Sequence, residues 1–155
     1  MGLFKMLGSV LCAAAIFNVA PASGIHADVT SLQGMHFGTR AVPWGGSIVL
    51  TERDAMLRTK GRCAFNVGYD LRNLGDRPTA SFKNFLLAKG AIVAISSAQP
   101  LQPGETRHVL TQPYLEPGTY VLGLQLDAEN QLAESNLANN ALALTVTVSG
   151  ACRAL

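Results

Sequence analysis

The chain has 155 residues, the usual size of one domain built around one hydrophobic core. Hydrophobic residues make up 48% and charged residues only 14%, against about 25% in an average soluble chain, which excludes an intrinsically disordered protein. The formal net charge of +2 is far from the strongly basic balance of a nucleic-acid binder, so no nucleic-acid partner is expected.

Residues 1–27 read as a secretory signal peptide. Lys5 supplies the basic start, Met6 to Ala20 an apolar run too short to span a bilayer, and Ile25 with Ala27 the residue pair before a cut. Cleavage after Ala27 makes Asp28 the new N-terminus; a cut after Ala22, using Ala20 and Ala22 around Pro21, also fits. Ser9-Val10-Leu11 before Cys12 is the wrong order for a lipoprotein, so Cys12 is an incidental leader residue. No later segment is apolar enough to span, and the expected location is secreted or periplasmic.

Residues 28–59 are expected to form an N-terminal strand and irregular segment of the same domain that fills 60–155. Gly34 to Ser47, with His36 and Trp44, has no strong period and reads as an edge-wrapping stretch; Trp44 reads as a cap on the core before it reads as a ligand platform. The basic stretch Arg53 to Arg62 also holds Asp54 and reads as a solvated turn region.

From Cys63 to Leu71 every odd position is apolar, which predicts a strand with one buried face. Asn73-Leu74-Gly75-Asp76 supplies turn residues tolerant of positive φ, and Pro103-Gly104 and Pro117-Gly118 each open the strand that follows. Less regular strands are expected at Ala80 to Ala88, Ala91 to Ile95 and Thr106 to Thr111. Tyr120, Leu122, Leu124 and Leu126 share one face of another strand, and Leu142, Leu144, Val146 and Val148 one face of the last. No stretch sustains a helical period, so the mature domain is predicted to be all-β without a substantial helix.

Between those two C-terminal strands lie Asp127, Asn130, Glu134, Asn136, Asn139 and Asn140. Their short polar side chains suit a wide hairpin loop that satisfies its own backbone. A weak Ca²⁺ site is the alternative, since Asp127, Asn130 and Glu134 offer hard oxygen ligands, but the ion takes about 6 to 8 oxygens. Setting Cys12 aside leaves Cys63 and Cys152 in an exported chain, the number for one disulfide.

The run from Gly118-Thr119-Tyr120 through Asp127, Asn130 and Glu134-Ser135-Asn136 to Asn139-Asn140 resembles the C-terminal signature of CARDB, the cell-adhesion-related domains of bacteria. Arg72-Asn73-Leu74-Gly75 and Leu101-Gln102-Pro103-Gly104 are also similar to that family's pattern, so the resemblance covers roughly 60–148. Family members often carry a second Glu where this chain has Leu137-Ala138, which argues against an acidic ion cage. The resemblance implies an immunoglobulin-like antiparallel β-sandwich of about seven strands used for binding. In such a sandwich the start of the Cys63 strand and the end of the last strand meet at one pole, where Cys63 and Cys152 can pair.

The mature chain has only His36 and His108 as imidazole bases, and neither sits in a nucleophile, metal or phosphate motif. No catalytic residue and no tightly held cofactor are expected. The reading is a non-catalytic binding module that holds a protein or glycan at the cell envelope through a sheet edge or polar loops. A structural or accessory subunit of an envelope or secretion complex is the alternative, and a small hydrolase a remote one.

Overall fold

The computed structural model describes residues 26–153; the leader, apart from His26 and Ala27, lies outside the described residues. Thirteen strands follow one another in this span: β1 (Val29–Thr30), β2 (Met35–Phe37), β3 (Arg40–Val42), β4 (Ser47–Thr51), β5 (Leu57–Thr59), β6 (Arg62–Ala64), β7 (Val67–Asn73), β8 (Phe82–Ala88), β9 (Ala91–Ala98), β10 (Thr106–Thr111), β11 (Tyr114–Leu115), β12 (Gly118–Gln125) and β13 (Ala141–Ser149). Seven of them, β4, β7, β8, β9, β10, β12 and β13, have five or more residues. No helix occurs among the described residues, and so none long and apolar enough to cross a membrane.

The fold is an all-β, immunoglobulin-like sandwich. One sheet runs β4-β13-β12-β8-β9. Its pairs are antiparallel except β4, which lies parallel to β13. The other is centred on β7, which pairs with β10 along one edge and with β1 and then β2 along the other, β3 adding to β2. A small third sheet, β11-β6-β5, continues this one. Thr111 faces Val67 and Tyr114 faces Ala64 in one register, and Phe65 N–H bonds to Pro113 O across the gap, so Cys63 to Asn73 is one strand in all but a short irregularity.

Alternation decides which side chains enter the core. Cys63, Phe65, Val67, Tyr69 and Leu71 are all buried, as are Leu122, Leu124 and Leu126 and Leu144, Val146 and Val148 from the facing sheet. The 28–59 segment adds Val29, Met35, Phe37, Val42 and Leu50 to the same cluster. Its lack of a period has a simple cause: the expected irregular stretch contains a hairpin, β2–β3, whose strands are three residues each and too short to show alternation. Trp44 packs on the core, and its indole Nε1 donates to Ser31 O at 2.5 Å, which gives the half-buried ring its polar partner.

Two reversals have Lys-Gly at their tips. Lys89-Gly90 joins β8 to β9 with φ of 51° and 76°, the pair of left-handed residues a tight hairpin needs. The turn at Asn73 to Asp76 works differently from expectation, because none of its four residues has positive φ. Gly75 is needed for space: a Cβ there would lie 2.2 Å from His26 O.

Candidate functional site

The two places singled out in the sequence occupy defined positions. Cys63 and Cys152 are joined by a disulfide with their Cα atoms 5.3 Å apart, and both are fully buried. Gly61 N–H donates to Cys152 O beside it, so the C-terminal tail is tied to the β5–β6 hairpin at this pole.

The polar loop connects β12 to β13 and divides into two groups. Asp127, buried and with φ of 41°, accepts N–H bonds from Gln131 (2.9 Å) and Leu132 (2.9 Å) on its two oxygens, and its own C=O accepts from Asn130, which has φ of 51°. The carboxylate thus wraps the start of the loop around itself. Asn136 accepts from Ala138 N–H within its own turn.

Glu134, Asn139 and Asn140 turn to the N-terminal segment instead. Glu134 Oε2 accepts from Val29 N–H at 2.9 Å and Oε1 from the Asn140 amide at 2.7 Å. Asn139 Nδ2 donates to Asp28 Oδ1 at 2.7 Å, and Ser135 N–H to Ala27 O at 3.1 Å. Burial holds the Glu134 carboxyl above the ordinary carboxylate range, the charges of Asp127 and Asp28 adding to the effect against the pull of the Val29 N–H and Asn140 bonds. Asn139 Oδ1 and Asn140 Oδ1 are buried without a partner. Among the described residues, no group of three or more His, Cys, Asp or Glu is arranged to hold a metal ion.

On the far side of the same segment stands Asn73, fully buried, which the sequence offered as a turn former and as part of the family-like Arg72-Asn73-Leu74-Gly75 element. Its Oδ1 accepts from Asp28 N–H (3.2 Å) and Gly75 N–H (3.0 Å), and its Nδ2 donates to Arg77 O (2.7 Å) and Leu101 O (3.2 Å). All the carboxamide's strong positions are filled by this one knot.

A second candidate surface is the outer face of the five-stranded β4-β13-β12-β8-β9 sheet. The register sets Ala143, Gly123, Leu87 and Ile92 in one row across β13, β12, β8 and β9, and Ala141, Gln125, Phe85 and Ile95 in the next. Val121 and Val49 extend the same face toward β4. Ile92, Ile95, Val49 and Val121 are 49%, 57%, 56% and 60% exposed, although they sit in regular strands. Lys83 on this face is paired with Glu129 at 2.9 Å.

At the centre is a shallow depression of about 280 Å³ lined by Leu87, Gly123, Gln125, Ala141 and Ala143. It exists because Gly123 has no side chain: a Cβ there would meet nothing closer than 3.9 Å. The β8 sequence carried a signal of this face. Phe85-Leu86-Leu87-Ala88 is apolar at consecutive positions, so the irregular period of this strand came from two apolar faces, one buried and one open.

Two other places bring polar and aromatic side chains together. Beside the disulfide, Arg62, Lys89, Ile92, Tyr114, Glu116 and Tyr120 line a groove of about 240 Å³. Lys89 Nζ lies 5.2 Å from the centre of the Tyr120 ring and 3.4 Å from Glu116, and burial with the Glu116 charge pushes the Tyr120 hydroxyl up to about 12. On the outer face of the β7 sheet, His108 Nδ1 lies 2.7 Å from Asp70 Oδ1, and the His36 ring is 6.1 Å away, edge-on. Among the described residues no hydroxyl or thiol is hydrogen-bonded to either imidazole, so this pair lacks the nucleophile of a hydrolytic triad.

The CARDB family model matches residues 53–144, more than half of the chain. Among solved structures, the chain is similar to the CARDB domain of a Pyrococcus furiosus protein in complex with di-metal ions, at 19% identity and a TM-score of 0.58, covering 80% of this chain and 90% of that one. It is also similar to a domain of a Methanosarcina acetivorans protein provisionally assigned to the cell surface, at 18% identity and a TM-score of 0.58, covering 80% and 93%. At these identities the likeness is one of fold. No curated protein matches the chain.

Proposed function

The chain belongs to the CARDB family, and from that premise we propose that it is an exported, non-catalytic binding module of the cell envelope that takes a protein partner on the outer face of its five-stranded sheet. Membership supports a binding role in general. The observation that carries the finer reading is that exposed Ile92, Ile95, Val49 and Val121 share the sheet face that holds the Gly123 depression. Exposed apolar side chains gathered on one regular sheet face mark contact with a protein. A partner would seat one apolar side chain in the depression, with the alanines and glycine allowing close backbone approach.

A glycan is the second reading, and the groove beside the disulfide favours it: Tyr114 and Tyr120 offer aromatic faces, and Arg62, Lys89 and Glu116 offer hydrogen-bonding groups for hydroxyls. The test is photo-crosslinking from a reporter at position 121, with one at position 70 on the opposite sheet as control, in envelope extract. A discrete adduct from 121 alone, lost in Gly123→Lys with the melting temperature unchanged, supports the protein site. Retention on polysaccharide that Tyr114→Ala abolishes and Gly123→Lys leaves intact would replace it with the glycan site.

A further inference from the structure

The backbone of His26 and Ala27 is bound into the domain, with His26 exposed and Ala27 buried, although the sequence allows a leader to be cut away on their C-terminal side. Ala27 is buried, and it forms a bridge with Glu134 in the polar loop. Its C=O accepts from Ser135 N–H at 3.1 Å, and the C=O of His26 accepts from Asp76 N–H at 3.1 Å. The next residue is held as firmly: Leu74 N–H donates to Asp28 O at 2.6 Å, and Asp28 N–H to the buried Asn73 Oδ1 at 3.2 Å. Gly75 has no room for a side chain because the backbone of His26 and Ala27 fills that space, a Cβ falling 2.2 Å from His26 O and 2.7 Å from Ala27 Cα.

Residues 26–28 therefore run as a strip gripped on one side by the 73–76 turn and on the other by the 134–140 loop. A chain beginning at Asp28 would lose the two carbonyl acceptors, leaving the N–H groups of Ser135 and Asp76 without their protein partners. It would also empty the space beside Gly75, and place an ammonium where a peptide N–H now meets the Asn73 carboxamide.

We propose that the leader is removed after Ala22, leaving Ser23 as the N-terminus and His26 and Ala27 as working parts of the binding domain. Ala20 and Ala22 satisfy the small-residue requirement of a signal peptidase. The inference rests on the export reading given above, and the grip on residues 26–28 is its independent support.

Two measurements test it. The full chain is expressed in an export-competent bacterium and the intact mass of the envelope form determined: a mass beginning at Ser23 is expected. A mass beginning at Asp28 overturns the inference and leaves export standing, whereas an unprocessed chain overturns both. Separately, chains starting at Ser23 and at Asp28, each released from a cleavable tag with no added residue and with the disulfide formed, are melted side by side. The Asp28 chain is expected to melt about 5 °C lower. Equal melting temperatures would overturn the claim that His26 and Ala27 are working parts of the domain and remove the physical basis for the choice of cut, which the mass would then decide alone.

Discussion

Removing the disulfide is the perturbation whose size follows most directly from the structure. Cys63 and Cys152 are 89 residues apart, so the bridge closes more than two thirds of the described residues into a loop. The chain-entropy relation for a loop of this length gives roughly 4 to 5 kcal/mol of stabilisation, before any strain in the folded state. Both sulfurs are buried among apolar neighbours, so alanine is the replacement that leaves no polar group stranded; serine would add a separate penalty. For a domain of this size, about 3 to 5 °C of melting temperature follows each kcal/mol, and Cys63→Ala with Cys152→Ala should melt roughly 12 to 25 °C lower than the oxidised protein. The assay is thermal denaturation followed by circular dichroism, with and without reductant, alongside a thiol count on the unfolded protein. Reductant should lower the parent toward the double variant and leave the variant unmoved. Free thiols in the untreated protein, or a double variant melting within about 2 °C of the parent, would refute the reasoning.

Three further outcomes are expected. Asn73→Ala removes four hydrogen bonds from a fully buried knot and should cost roughly 3 kcal/mol in urea denaturation; a cost under about 0.5 kcal/mol would mean that water replaces the carboxamide. Burial raises the Glu134 carboxyl, so the stability linked to it is fully present below the ordinary carboxylate value of 4.5 and is lost as pH rises through the raised one. Glu134→Gln should lack that loss when its melting temperature is compared with the parent's from pH 4 to 8, and parallel profiles would show that Glu134 titrates as if unperturbed. Millimolar Ca²⁺ should give neither heat in calorimetry nor a rise in melting temperature. Asp127 and Glu134 already spend both carboxylate oxygens on N–H donors, and the unpartnered amide oxygens of Asn139 and Asn140 fall short of the ion's usual ligand number. A rise of several degrees would show that the loop exchanges those bonds for a metal.

What the sequence displayed clearly was whatever one strand face decides by itself. The odd positions of Cys63 to Leu71 and the apolar rows of the last two long strands needed no partner to reveal their burial, and all are in the core except Tyr120 and Leu142, which are partly buried against it. What it hid depends on residues far apart in the chain. Glu134 reads as a loop carboxylate until Val29, 105 positions earlier, places an N–H against it. Asn73 and Gly75 read as turn formers because composition describes what a residue tolerates and is silent about which backbone approaches it. The outer apolar face was obscured for a related reason: a strand with two apolar sides looks irregular, and only the sheet tells which side the core covers.

The placement of these devices bears on where a partner can dock. Sheet edges would be the first choice for main-chain recognition, since an edge strand offers unpaired N–H and C=O groups, but both edges of the five-stranded sheet are blunted. On β9 the pairing steps from Leu86–Ala94 to Leu87–Ile92, leaving Val93 as an extra residue that bends the strand and interrupts its ladder. On β4, Arg40 Nη1 donates to Val49 O at 3.1 Å, filling an acceptor that an added strand would use. One pole is tied by the disulfide and the polar loop is committed to the 26–28 strip, so those elements are spent on holding the fold together. The outer face around Gly123 has no such duty. Its isoleucines and valines stay about half exposed in the isolated domain, and under the proposed function a partner that covers them adds that burial.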